Sequence, residues 1–181
     1  MARIRQITER DQVPEDKRPI FDSITESRGR VGGPFAVLMN SPEVAGRAAH
    51  LGTFLRFETS LNPRQRELAI ITAAREWDCA LEWGGHVQIA RQEGVREEAI
   101  DAVGKKGPIE GLNDDERMIV EYGRELIRSH RVSAETFSRA HKSLGDQGVT
   151  DLTATFGYYS LLACALDAFE VEAAPGAPPL P

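Results

Sequence analysis

The starts of helices are the strongest constraint this sequence places on its fold. Ser41-Pro42-Glu43 and Asn62-Pro63-Arg64 each set a capping side chain before a proline at the first helical position. There the missing N–H costs nothing and a side-chain oxygen satisfies an orphan donor. Asn113-Asp114-Asp115-Glu116 is close to a capping box, with an acidic first turn that suits the helix dipole. Ser133 and Thr150 are further candidate N-caps. No segment alternates apolar and polar residues between turn dipeptides, as a half-buried strand does. The pattern therefore specifies an all-α chain. Its spacing predicts helices over about residues 14–28, 42–58, 63–75, 77–93, 97–103, 114–130, 134–144 and 151–169, with no repeat at a fixed period. Val31-Gly-Gly-Pro-Phe35 reads as an interhelix loop, or equally as a lid whose Phe35 closes over a pocket.

A length of 181 residues with 41% apolar side chains suits one domain with a buried core. We read residues 1–172 as that domain and the last nine, which hold four of the ten prolines, as an extended mobile tail. The net charge is −6 and no Lys/Arg run is present, so nucleic acid is excluded as the expected partner. The most apolar stretch, Leu152 to Phe169, carries Asp167, two threonines and two tyrosines. It reads as a core or subunit-contact helix rather than a membrane span. Two cysteines make no disulfide framework, and the first ten residues carry no apolar signal core, so a reducing cytoplasm is the expected compartment.

One segment concentrates chemistry: Arg75-Glu-Trp-Asp-Cys79-Ala-Leu-Glu82-Trp83-Gly-Gly-His86. On a continuous helix Glu82 lies about 60° and His86 about 20° from Cys79 around the axis, so all three share one face. Cys79 and His86 are then roughly 10 Å apart in height, too far for direct contact. Glu82 stands between them at neighbouring spacings, like the carboxylate in the middle of a proton wire. Trp83 and Ala90 make the stripe partly apolar. In a dry site a carboxyl pKa rises, while a cationic imidazole pulls it back down. A Glu–His pair between those pulls suits general acid/base work near neutral pH. The plainer alternatives are a surface helix contact for the pair and a small buried hydrophobe for the cysteine. His50, His130 and His141 make no ligand spacing with His86, and the acids at 76, 78 and 82 point to different helix faces, so no metal is expected.

With these residues in view, the chain resembles the carboxymuconolactone decarboxylase and alkylhydroperoxidase D-like superfamily. The resemblance is carried by Gly33-Pro-Phe35, Ser41-Pro-Glu43, Leu55-Arg-Phe57, Arg66-Glu-Leu-Ala-Ile70, Arg75-Glu-Trp-Asp78 and Glu82-Trp83-x-x-His86. It continues more loosely through Gly157-Tyr-Tyr159 to Phe169-Glu170. It implies a single-domain orthogonal helical bundle of the alkylhydroperoxidase D-like type, homo-oligomeric as a trimer, a multiple of it, or a dimer. The peroxidase branch carries a glutamate, a Cys-x-x-Cys and a histidine. Here Glu67, Cys79 and His86 take three of those places, and Glu82 stands where the second cysteine would be.

Losing that cysteine removes the activated thiolate and the local disulfide, and Cys164 is distant in sequence. What the resemblance then implies is a cofactor-independent lyase or isomerase for a small organic acid or lactone. His86 and Glu82 would serve as proton donor and assistant, with Glu67 as a second acid/base and Cys79 a pocket-lining or reactive group. Trp83, Arg75 and Phe35 would contact substrate, Arg75 through a bidentate bond to a carboxylate. A thiol peroxidase using Cys79 and a catalytically silent small-molecule-binding oligomer are the alternatives.

Overall fold

The computed structural model describes residues 2–173 and 175–181, and those residues form helices without strands. After two 3₁₀ turns, at Arg10–Gln12 and Glu15–Lys17, eight helices follow. They are α1 (Arg18–Arg28), α2 (Pro34–Leu38), α3 (Pro42–Phe57), α4 (Pro63–Glu76), α5 (Ala80–Gln92), α6 (Glu97–Gly104), α7 (Asp114–Ser129) and α8 (Ala134–Ala168). The caps explain where they begin. Asn62 accepts the Gln65 N–H at 2.9 Å while Gln65 Oε1 accepts the Asn62 N–H at 3.1 Å. Asn113 and Glu116 close the same box at the head of α7, and Ser133 caps α8.

The centre of the bundle is α4, which packs against α5, α6, α7 and α8. Its residues from Glu67 to Ala74 are all buried, the pattern of a helix enclosed on every side. A single carboxylate lies in that run.

Three local expectations change. The Val31–Phe35 stretch is not all loop: Gly33 takes positive φ and Pro34 opens the short helix α2, which buries Phe35. Thr150 does not begin a helix. Its hydroxyl donates to the Asp146 carbonyl inside α8, which runs on from Ala134 and breaks only at Gly145. There φ of 67° and ψ of −177° suit glycine alone. The helix expected over residues 77–93 begins instead at Ala80. Asp78 turns left-handed, and Cys79 and Asp78 donate their N–H groups to Ala74 and Arg75. This closes α4 with the paired bonds of a Schellman motif. Aspartate tolerates that conformation, and Arg75 and Lys106 hold its carboxylate.

The proline-rich end lies against the bundle. Arg75 donates to the Pro181 carbonyl at 3.0 Å, and Leu180 packs on the core. No helix among the described residues is long and apolar enough to cross a membrane.

Candidate functional site

Glu67, 1% exposed, lies within the enclosed α4, and a carboxylate so placed needs hydrogen-bond partners. Two are present. His86 of α5 donates from Nδ1 to Oε2 at 2.8 Å, and Arg66 donates from Nε to Oε1 at 3.1 Å. An ionised carboxylate on Nδ1 fixes the imidazole tautomer and leaves the Nε2 lone pair free. One turn earlier on α5, Glu82 brings Oε2 within 3.7 Å of Nε2. Tyr159 of α8 meets the imidazole edge-on, with ring centres 5.2 Å apart. The relay therefore runs Glu67–His86–Glu82 across two helices.

The two carboxyls are driven apart. Burial pushes Glu67 upward. The hydrogen bond and charge of His86, joined by those of Arg66, outweigh that push and hold it below the usual carboxylate range. Burial pushes Glu82 upward too, and the charges of His86, Arg56 and Arg28 only partly offset it, so Glu82 holds its proton to higher pH than an ordinary glutamate. Two carboxyls whose pKa values are displaced in opposite directions on either side of one imidazole suit a division into proton donor and orienting group.

Nε2 and Glu82 face a cavity of about 300 Å³ lined also by Phe35, Arg28, Arg30 and Arg56. Its size is at the lower end of small-molecule sites. Arg28 lies over the Phe35 ring, 4.4 Å from its centre, and donates to the Ala49 carbonyl of α3 at 3.0 Å. Gly52 makes this wall feasible: a Cβ there would fall 2.1 Å from the Tyr158 hydroxyl and 2.8 Å from an Arg28 Nη.

Of the sequence-predicted residues, Glu82, His86 and Phe35 line this cavity, and Glu67 stands behind His86 through the 2.8 Å bond. Three others stand elsewhere. Cys79 is not on the helical face of His86, because it caps α5 from outside; it is buried in a small cluster with Ala163 and Leu166 of α8. Burial, reinforced by the negative charges of Asp167 and Glu82, pushes its thiol up to about 12. Arg75 does not reach the cavity either. It is committed to the Gly104 carbonyl at 2.6 Å, to Asp78 and to Pro181. Trp83 packs against Gly104 in a neighbouring cleft with the proline-rich end. The arginines were missed because a helix-surface arginine looks the same in sequence wherever it points. The one cue was Arg56, set between Leu55 and Phe57. Tyr158 and Tyr159 read as core, and both are buried, yet they also form cavity wall.

Residues 42–105 match the carboxymuconolactone decarboxylase family, a segment that includes Glu67, Glu82 and His86. No curated protein matches the sequence. Three solved structures share the fold. An alkylhydroperoxidase AhpD core, an uncharacterized peroxidase-related protein from Ralstonia eutropha JMP134, is 17% identical. The alignment covers 96% of this chain and 93% of that one, with a TM-score of 0.75. A peroxidase-related protein from Silicibacter sp. TM1040 is 15% identical over 91% and 88%, with a TM-score of 0.71. An Agrobacterium tumefaciens protein of unknown function, described as an AhpD antioxidant defence protein, is 16% identical over 76% and 94%, with a TM-score of 0.65. The family match spans about a third of the chain, and the solved structures show that nearly the whole chain shares the all-α fold of these AhpD-like and peroxidase-related proteins.

Proposed function

We propose that this chain is an acid/base lyase or isomerase acting on a small organic acid or lactone. The observation that carries the reading is the carboxylate–imidazole–carboxyl relay opening on a partly open cavity whose wall, among the described residues, carries no sulfur. In the isomerising direction Nε2 of His86 removes a proton next to a carbonyl. Glu82 returns its own proton at the other end of the conjugated system and is reprotonated by His86. In the decarboxylating direction the C–C bond to the carboxylate breaks and its electron pair moves into a conjugated carbonyl. Carbon dioxide leaves, and the enolate carbon takes the Glu82 proton. Glu67 stays ionised throughout, stabilising and orienting the imidazolium as it forms.

Three similar structures are described as peroxidase-related or AhpD proteins, so thiol chemistry is the natural rival. It needs a thiolate. Burial pushes the Cys79 thiol up to about 12, away from the thiolate form.

The test is a panel of unsaturated acids, 3-oxo acids and enol lactones incubated in D₂O and followed by NMR and mass spectrometry. Turnover is expected with one deuterium incorporated at the protonated carbon, and Cys79→Ser is expected to keep it within about threefold. Peroxide reduction that vanishes in Cys79→Ser, with no turnover on the panel, would overturn the reading.

A further inference from the structure

Residues 175–181 do not trail into solvent. A turn at Pro175 and Gly176, where Gly176 takes φ of 81°, leads into a segment that lies in the cleft between α5 and α6. Trp83, Val87, Ile100 and Gly104 line that cleft. Pro178 and Leu180 are half-buried while Pro179 is exposed, and Leu180 packs on the core. Arg75, from the end of α4, ties the far end down. Its guanidinium donates to the Gly104 carbonyl at 2.6 Å and to the Pro181 carbonyl at 3.0 Å. Two glycines answer to this contact. Gly84 lies inside α5 without a positive φ, where glycine weakens a helix relative to alanine. A Cβ there would meet the Ala177 Cβ at 3.0 Å and the Pro178 carbonyl oxygen at 3.2 Å, and the nearest atoms all belong to this segment. At Gly104 a Cβ would fall 3.0 Å from Pro181 and 3.1 Å from the Trp83 ring.

We infer that the α5–α6 cleft is a docking groove for an extended, proline-rich segment, and that residues 177–181 of this chain occupy it in cis as a strap. The chemistry of proline suits that role. Its ring fixes φ before docking, so such a segment loses little entropy on binding, and aromatic-lined grooves accept it. Trp83 supplies the aromatic surface. Tethering adds to this, because a segment joined to α8 meets the groove at an effective concentration of about millimolar. A free peptide of the same sequence must compete with it. Trp83 follows Glu82 directly, so the strap bears on α5 beside the relay, and none of residues 177–181 lines the cavity that His86 faces. Arg75, which the sequence singles out and the relay does not use, thereby gains a role: it pins the strap to the end of α6.

The strap can be tested on the full chain by NMR. In the wild type the Ala177 and Leu180 amides are expected to show order parameters of about 0.85, as in the helices, against less than about 0.6 for a mobile tail. Two variants separate the partners. Gly84→Gln fills the seat while favouring the helix, and the double variant Pro178→Ser with Leu180→Ser leaves the groove untouched. Both are expected to lower those order parameters to the mobile range and to shift the Trp83 indole N–H resonance. The peptide Pro-Gly-Ala-Pro-Pro-Leu-Pro is then titrated to millimolar concentration. It is expected to bind the double variant at least tenfold more tightly than the wild type, read at that indole resonance, and a peptide with alanine for every proline is expected not to bind. Wild-type order parameters in the mobile range, a Trp83 resonance indifferent to both variants, or a double variant that binds the peptide no better than the wild type overturns the strap. So do contacts between strap and Trp83 that appear between differently labelled copies and vanish on dilution, because the segment would then dock in trans.

Discussion

Replacing His86 by glutamine is expected to lower kcat on a panel substrate by about 10²–10⁴-fold, the usual worth of a positioned general base. Glutamine can still donate to Glu67, so the buried carboxylate keeps a partner. Alanine would leave it only the Arg66 bond, and breaking a buried pair costs about 3–5 kcal/mol, so the glutamine variant separates lost chemistry from lost fold. Glu82→Gln should fall by a similar factor because it removes the donated proton.

Its effect on stability runs the other way. Glu82 has a folded pKa raised above its unfolded value near 4.5. Its contribution to stability is thus fully present below about pH 4.5 and is lost as pH rises through the folded value. A neutral amide escapes that loss. Glu82→Gln is therefore expected to be as stable as the wild type or more so at pH 8, measured by urea unfolding, while being nearly inactive. A Glu82→Gln variant that is both active and destabilised would contradict the assignment of a burial-strained acid.

The second large effect belongs to Glu67→Gln. The amide keeps the shape of the side chain but carries no charge and can accept from or donate to Nδ1, so it no longer fixes the proton there. The imidazole is free to place its proton on Nε2, where it points at Glu82 and can no longer accept one. Loss of the orienting carboxylate in a His-based relay costs up to about 10⁴-fold in kcat, and about 10³-fold or more is expected here. The stability profile gives an independent reading. Glu67 has a folded pKa depressed below about 4.5. It therefore stabilises the fold above that pH, and the benefit is lost as pH falls through the folded value. Wild type is expected to lose stability between about pH 4.5 and lower pH with a steeper slope than Glu67→Gln. Equal slopes would mean that the 2.8 Å bond to His86 carries no charge at neutral pH.

Legibility in the sequence followed the range of the interaction. The starts of α4 and α7 were readable because a cap and its proline, or its glutamate, lie within three residues; α3 begins at Pro42 as expected, but Ser41 at its N-cap makes no side-chain capping bond. The pairing of Glu82 with His86 was readable for the same reason, being one helical turn. The end of α4 was not. An aspartate in the left-handed conformation carries no mark as clear as glycine, and two Schellman bonds at Cys79 and Asp78 were enough to move the cysteine off the helix. That displacement replaces a Cys79–Glu82–His86 wire by the Glu67–His86–Glu82 relay. Only family resemblance points to Glu67, since its bond to His86 joins two helices across nineteen positions. Arg28 and Arg56 come from α1 and α3 and meet only when those helices pack. No spacing rule connects them.

The relay depends on the opposite pKa displacement of the two carboxyls beside His86. That displacement can be measured directly, without substrate, by a ¹³C NMR pH titration of protein labelled at the glutamate side-chain carboxyls, with Glu67→Gln and Glu82→Gln used to assign the two resonances. Glu82 is expected to titrate above the ordinary glutamate value and Glu67 below it, with both moving up when His86 is replaced by glutamine. Two carboxyls titrating together near about 4.5 would leave the relay without a proton donor and contradict the assignment.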